Sequence, residues 1–194
     1  MPLIVDHDER RVQIARVVEQ LVYDRGIDGL TIRDVANQVG CSTSVISHYF
    51  RSKLEMLTFT QRQARLRTID RLNASIEEGR GYLEAIEEVL PLTEEYYRDW
   101  HTWFAFWGMA PTEPTVSREW AEASSTSHGF FAELIRRGQE DGSIPASVNE
   151  TEAATTIQII VNGIASLVSQ DRSAWPADRQ TSVCRKLFKK LFQD

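Results

Sequence analysis

Apolar side chains recur at helical spacing along almost the whole chain, and this period constrains the fold more than any other feature. The first such group, at i, i+3, i+4 and i+7, consists of Ile14, Val17, Val18 and Leu21. The same spacing returns in each later segment, and no run alternates apolar and polar residues as a strand does. The sequence therefore predicts an all-α protein.

Glycines and capping residues divide the first part of this pattern into three helices. Gly26 is expected to end the first helix in the left-handed conformation. Thr31 and Asp34 have the spacing of a capping box that begins the second helix, and Gly40 is expected to stop it. Ser42 is expected to cap a short third helix.

Prolines and glycines divide the remainder in the same way. Pro91 is expected to interrupt a helix because proline lacks a backbone N–H and clashes with the preceding turn. The expected helices cover about 52–79, 82 onward to the interruption, 99–109, 115–140, 149–170, and a last one that opens at Pro176.

Composition excludes several classes of protein. Two cysteines are too few for a disulfide framework, and no cysteine or histidine has a partner at metal-ligand spacing. The chain has no glycine-rich phosphate loop after a strand and no nucleophile elbow. We therefore predict no cofactor, no metal and no catalysis, and the free thiols favour a reducing cytoplasm.

Two stretches invite comparison with targeting or membrane segments. Leu3–Val5 is a short apolar stretch followed by acidic residues, which argues against a signal peptide. Residues 153–170 carry no charge, but their many hydroxyl and amide side chains are too polar for a lipid span of about 20 residues. We expect a helix buried against other helices, and no membrane.

The net charge of −6 would disfavour nucleic acid as a partner if it were spread evenly. Residues 1–53 contain equal numbers of basic and acidic side chains, so the excess of acid lies in residues 54–194. Local placement of Arg and Lys matters more for phosphate binding than the overall sum. DNA therefore remains compatible with the N-terminal part.

Residues 31–50 have the pattern of a helix-turn-helix, with Gly40-Cys41-Ser42 as the turn. The third helix has a polar side that suits base edges and phosphates: Thr43, Ser44, Ser47 and His48. Its other side is expected to face a small core: Val45, Ile46, Tyr49 and Phe50. Lys53 follows at the next helix start, where a cation can hold a phosphate. Such a pattern also arises by chance in all-α proteins, as a capped surface turn.

Two strings resemble the TetR family of bacterial repressors: GLTIRDVANQVGCS at 29–42 and SHYFRSKLE at 47–55. The shared spacing comprises Thr, Ile-x-x-Val-Ala, Gly-x-Ser, an aromatic-Phe pair and a Lys two residues later. VISHYF at 45–50 and WFAFW at 103–107 look most like the BetI-like branch. The resemblance implies DNA contacts from Thr31, Arg33, Ser42, Thr43, Ser44, Ser47, His48, Tyr49 and Lys53.

The chain departs from the family pattern at two positions. Cys41 stands where the family commonly has Val, and we interpret it as a small buried hydrophobe. Ser47 stands where many members have Tyr, although Tyr49 follows two residues later. Many members use that Tyr to contact a DNA phosphate, and the resemblance does not imply the same contact for Ser47.

An aromatic stripe downstream of acidic residues suggests a ligand pocket. Trp100, Trp103 and Trp107 fall at i, i+3 and i+7. Aromatic faces with nearby carboxylates can hold an organic cation, and the BetI-like branch includes choline-responsive members. The predicted pocket residues are Glu95, Tyr96, Asp99, Trp100, Trp103, Trp107, Trp120 and Phe131. The alternative is that the rings are core and the carboxylates face water.

The last two helices suggest a dimer interface. The uncharged helix has one wide apolar face, and the final helix has another. The family pairs these helices between subunits, which implies an interface through Ile157, Ile160, Val161, Ile164, Val168, Leu187, Phe188 and Leu191. The alternative is that they complete the core of one subunit.

The sequence thus predicts a DNA-binding domain at 1–53 and an effector-binding and dimerisation domain at 54–194. The function predicted first is a repressor that binds palindromic double-stranded operator DNA as a homodimer and is released by a small-molecule effector. A regulator without an effector is the second hypothesis. An all-α carrier or enzyme with a fortuitous helix-turn-helix is the third.

Overall fold

A computed structural model describes residues 7–192, so the Leu3–Val5 stretch lies outside the described residues. Regular structure between residues 7 and 192 is entirely helical, which confirms the all-α prediction. The helices are α1 (His7–Arg25), α2 (Ile32–Val39), α3 (Thr43–Tyr49), α4 (Lys53–Glu77), α5 (Tyr82–Glu87), α6 (Glu94–Trp107), α7 (Pro114–Glu140), α8 (Glu150–Gln170) and α9 (Ala177–Leu191).

The ends of α2 follow the sequence signals closely. Thr31 Oγ1 accepts a hydrogen bond from the Asp34 N–H at 3.2 Å, and the Asp34 carboxylate accepts one from the Thr31 N–H at 3.0 Å. Gly40 ends the helix at φ 75°, a left-handed conformation in which a side chain would be strained. Ser42 precedes α3 but does not cap it, since its hydroxyl lies 2.7 Å from that of Ser44.

The middle helices differ from the expected bounds. α5 ends at Glu87, and Pro91 lies in the non-helical link that follows. α6 begins at Glu94, five residues before the expected start, because the Thr93 hydroxyl accepts the Tyr96 N–H at 3.2 Å and so caps the first turn.

The chain forms two compact units. The N-terminal unit comprises the described residues up to Arg67 and the segment His101–Ser117. The C-terminal unit comprises Thr68–Trp100 and the described residues from Arg118 onward. Three helices, α4, α6 and α7, therefore have residues in both units. The sequence pattern put the boundary between the DNA-binding and effector-binding domains after residue 53, and that boundary stays a prediction.

The core of the N-terminal unit holds the helix-turn-helix together. Val18 of α1, Val35 of α2 and Ile46 of α3 are fully buried in one apolar cluster, with Phe50 and Leu57 beside them. Burial of each large apolar side chain contributes about 1.5–3 kcal/mol. These contacts fix the orientation of α3, and Cys41 packs against the same cluster.

Helix α8 is the central core element of the C-terminal unit. It is long and apolar enough to cross a membrane by length and composition alone. Six of its buried side chains, however, join those of α5, α7 and α9 in one apolar cluster, as expected for a core helix: Ala153, Ala154, Ile157, Val161, Ile164 and Val168.

Candidate nucleic-acid interface and ligand site

Helix α3 presents a polar face at the surface of the N-terminal unit. Ile46 and Phe50, four residues apart, are buried and anchor one side of the helix. Seven of the nine predicted contact residues are exposed, namely Thr31, Arg33, Ser42, Thr43, Ser44, Ser47 and His48, and the other two, Tyr49 and Lys53, are partly buried. The helix thus offers short hydrogen-bonding side chains on a rigid support, which suits base readout in a major groove.

Val45 is a surface residue that the sequence pattern assigned to the core. Its side chain is 37% exposed, because Ile46 and Phe50 already occupy the inward side of this short helix. An apolar side chain on a recognition helix can contact a thymine methyl group. Only the packing distinguishes Val45 from Ile46, so no signal in the sequence would have identified it.

Lys53 has a structural contact in addition to its predicted phosphate role. Its ammonium group donates a hydrogen bond to the Ile27 carbonyl oxygen at 3.0 Å. This bond ties the start of α4 to the loop between α1 and α2. An ammonium group has three donors, so the contact is compatible with a further bond to a phosphate.

His7 lies against the end of α3, a contact that sequence reasoning missed. Its ring centroid is 5.9 Å from that of His48 and 4.9 Å from that of Tyr49. The His48 and Tyr49 centroids are 5.2 Å apart, so the three rings form one cluster. The sequence separation of about 40 residues hides this cluster from any local pattern.

The predicted ligand residues are divided between the two units. Trp103 and Trp107 belong to the N-terminal unit, and Trp107 stacks on Phe104 with the centroids 5.4 Å apart. The six in the C-terminal unit are Glu95, Tyr96, Asp99, Trp100, Trp120 and Phe131. The tryptophans that share one helical stripe in the sequence therefore belong to two different units of the structure.

In the C-terminal unit, Arg71 contacts two of the predicted ligand residues, Asp99 and Tyr96. Arg71 of α4 donates to Asp99 of α6 at 2.9 Å, and Asp99 is 5% exposed. The Arg71 guanidinium also lies 3.9 Å from the Tyr96 ring centroid. The cation–π and charge pairing that the sequence predicted for an organic cation are thus made by Arg71.

Tyr96 also makes a hydrogen bond outside the pair of Arg71 and Asp99. Its hydroxyl donates to Glu88 at 2.7 Å, and Glu88 accepts a second bond from Arg80 at 2.9 Å. Burial, together with the hydrogen bond to the Glu88 carboxylate, raises the pKa of Tyr96 to about 12. The phenol therefore stays neutral, and its aromatic face carries the Arg71 guanidinium.

Two other predicted ligand residues contribute to the core of the C-terminal unit. Trp100 donates its indole N–H to the Val89 carbonyl oxygen at 2.6 Å and packs against the apolar cluster. Phe131 is buried in the same cluster. A separate cavity of about 330 Å³, between the start of α8 and the end of α9, includes none of the predicted ligand residues.

The predicted dimer residues fall into two groups. Five fill the protomer's own core, which is the alternative that the sequence left open: Ile157, Val161, Ile164, Val168 and Phe188. Ile160 and Leu191 are partly buried, and Leu187 is 39% exposed. Leu167, which belongs to the apolar face predicted from the sequence, and Ile159, which the sequence interpretation omitted, are 41% and 65% exposed on α8.

Apolar residues on two sides of α8 are the signal that points to Ile159 and Leu167. One side of α8 packs in the core, so a second apolar side indicates a second packing partner.

No group of three or more metal-ligating side chains lies together within the described part of the chain.

Comparison with known proteins agrees with this geometry. Residues 14–58 match the model for bacterial regulatory proteins of the tetR family, and residues 81–193 match that for the C-terminal part of BetI-type transcriptional repressors. The chain is 27% identical over 173 residues to the regulator PksA of Bacillus subtilis, covering 85% of this chain and 81% of PksA. It is 31% identical over 124 residues to BetI of Burkholderia mallei, covering 61% and 63% of the two chains.

Two solved structures illustrate the shared fold. A transcriptional regulator from Saccharomonospora viridis, solved with choline, superimposes with a TM-score of 0.84 at 22% identity, over 94% of this chain and 96% of that one. FadR of Bacillus subtilis, solved with stearoyl-CoA, gives a TM-score of 0.69 at 13% identity, over 94% and 97%. At these identities the likeness concerns the fold.

Proposed function

This chain belongs to the BetI-type branch of the TetR family of transcriptional repressors, and from that premise we propose that it binds palindromic operator DNA as a homodimer in the cytoplasm and releases it on binding a small-molecule effector. The exposed polar face of α3, anchored by the buried Ile46 and Phe50, is the observation that carries the DNA-binding part. The relatives are named transcriptional regulators, and we expect no catalytic activity.

Selection from a randomised pool of double-stranded DNA tests this function directly. A dimer that presents two copies of α3 is expected to select a palindrome whose half-sites lie about 34–36 Å apart, or a multiple of that distance. Fluorescence anisotropy then gives the affinity at fixed salt. If no sequence is enriched and affinity does not depend on sequence, the carrier or enzyme hypothesis replaces this one.

The exposed apolar residues of α8 and α9 support the homodimer. Ile159, Leu167 and Leu187 lie on the helices that the family pairs between subunits, and a second copy of the chain would remove their apolar area from water. A two-fold interface uses the same patch on both subunits, which agrees with one patch and one helix-turn-helix per chain.

We propose that the effector is an organic cation that competes with Arg71 for the Tyr96 ring face and the Asp99 carboxylate. A cation that reached the Tyr96 face and the Asp99 carboxylate would have to displace the guanidinium that occupies them. Choline in the S. viridis regulator supports a ligand of this charge. Arg71 lies on α4, the helix that begins directly after the recognition helix, so its displacement offers a route from effector to DNA affinity.

Tryptophan fluorescence titrations of the DNA complex test the effector class. Choline and a polyamine represent cations, and stearoyl-CoA, which FadR binds, represents an anionic acyl ligand. Saturable quenching by a cation, together with loss of anisotropy from labelled operator, is the expected result. Release by the acyl ligand alone would reverse the charge assignment, and no response to either class would favour the regulator without an effector.

A further inference from the structure

In the three-ring cluster of His7, His48 and Tyr49, the two imidazole rings lie at the surface, and Tyr49 is partly buried against the core of the N-terminal unit. The His7 side chain is 54% exposed and His48 is exposed, so the rings contribute little buried apolar area. His7 opens α1, and His48 and Tyr49 close α3. The contact therefore joins the start of α1 to the last turn of the recognition helix.

This position puts His7 beside the DNA-facing surface. DNA that contacts the exposed side of α3 passes within reach of His48, whose ring centroid is 5.9 Å from that of His7. The proposal that follows rests on the DNA-binding function proposed above. It adds a contact from α1, which none of the residues predicted from the sequence supplies.

The chemistry of two adjacent imidazoles suits a phosphate. Imidazole is the side chain whose charge ordinarily changes between pH 5 and 8, and its protonated form donates from both ring nitrogens. Two imidazolium groups at this separation repel each other, and an anion next to both relieves that repulsion. Binding a phosphate would therefore favour uptake of protons by the pair.

The charged neighbours allow this arrangement. On α1, Asp8 lies 3.9 Å from Nδ1 of His7, which leaves Nε2 of an imidazolium as a second donor. Arg11, one turn along α1, is paired with Glu55 of α4 at 3.0 Å. Lys53 at the start of α4 donates to the Ile27 carbonyl oxygen. Tyr49 contributes its aromatic ring to the cluster.

We propose that His7 is a DNA-contacting residue that, with His48, binds a backbone phosphate of the operator. The repressor then binds DNA more tightly as the pH falls. The sign follows from linkage: the protonated form binds better, DNA binding takes up protons, and affinity declines as the pH rises. The phosphate contact is independent of base sequence, so specificity is unaffected.

Operator affinity measured by anisotropy at pH 6 and pH 8 tests the proposal. We expect wild-type affinity to rise about tenfold at pH 6, within the limit of one decade per pH unit for each proton taken up. His7→Gln and His48→Gln are each expected to remove about half of this rise on a logarithmic scale, and together to lower the salt slope at pH 6 by about one, the value for one phosphate. Double substitution should abolish the difference.

His128→Gln is the matched control, because His128 lies on α7 of the C-terminal unit and bonds to Thr151 and Thr155. It should retain the wild-type pH dependence. Unchanged affinity, pH dependence and salt slope in His7→Gln, with wild-type operator binding intact, would overturn this inference alone. Failure of the wild type to bind any DNA specifically would overturn both this inference and the DNA-binding function.

Discussion

Val45 and Ile46 are neighbours in the sequence, yet one is 37% exposed and the other is fully buried. Both are β-branched and apolar, so neither propensity nor composition separates them. The difference arises because a helix turns by about 100° per residue and only one direction faces the core. At the residue scale, the direction in which each side chain points thus decides which residues of α3 are exposed.

Val45→Ser is expected to change the preferred DNA sequence without weakening the fold. The loss of an exposed apolar side chain removes contact with a thymine methyl, which should relax the preference at one position of each half-site. Comparison of selected consensus sequences for the two proteins measures this. An identical consensus would show that Val45 contacts no base.

Lys53→Ala should weaken binding to all DNA sequences and lower the salt slope by about one. Its bond to the Ile27 carbonyl oxygen is lost as well, so thermal melting must accompany the measurement. Lys189→Ala, an exposed lysine of α9, serves as control. An unchanged salt slope in a folded Lys53→Ala protein would contradict the phosphate role.

At the scale of elements, the turn between α2 and α3 depends on one glycine. Gly40 has φ 75°, and a Cβ there would meet nothing within 4 Å, so the cost of a side chain is purely conformational. Gly129 of α7 is also open, but it lies within a helix. A Gly→Ala substitution can therefore be compared at a left-handed position, Gly40, and at a right-handed helical position, Gly129.

Gly40→Ala is therefore expected to lower the free energy of unfolding by about 1–2 kcal/mol, the cost of the left-handed conformation. Gly129→Ala should raise it by about 0.5–1 kcal/mol, because alanine is the better helix former. Urea unfolding measures both. A stabilised Gly40→Ala protein would contradict the left-handed turn.

The pair between Arg71 and Asp99 joins α4 to α6 within the C-terminal unit. Arg71→Met leaves the buried Asp99 carboxylate without this partner, which should cost about 3–5 kcal/mol. Adding Asp99→Asn should recover part of the loss, because the buried carboxylate charge is then absent as well. A double-mutant cycle by urea unfolding measures the coupling, and additive losses would show that the pair is energetically independent.

At the scale of the whole molecule, the repressor that we propose requires a second copy of the chain. Ile159→Glu places a charge in the exposed apolar face of α8 and should convert the dimer to a monomer with weakened operator binding. Light scattering and anisotropy report the two effects. Leu66→Glu, at a side chain 40% exposed on α4, is the control and should remain dimeric. A dimeric Ile159→Glu protein would place the interface elsewhere.

The sequence by itself determined the all-α class, the helix-turn-helix, the capping box of Thr31 and Asp34, and the family, because these depend on local periodicity and spacing. The tertiary structure decided what depends on contacts between distant segments. Arg71 meets Asp99 across 28 residues, His7 meets His48 across 41, and the apolar sides of α8 divide between core and surface. A helical period shows that a side chain has an apolar neighbour, but only packing shows which neighbour it is.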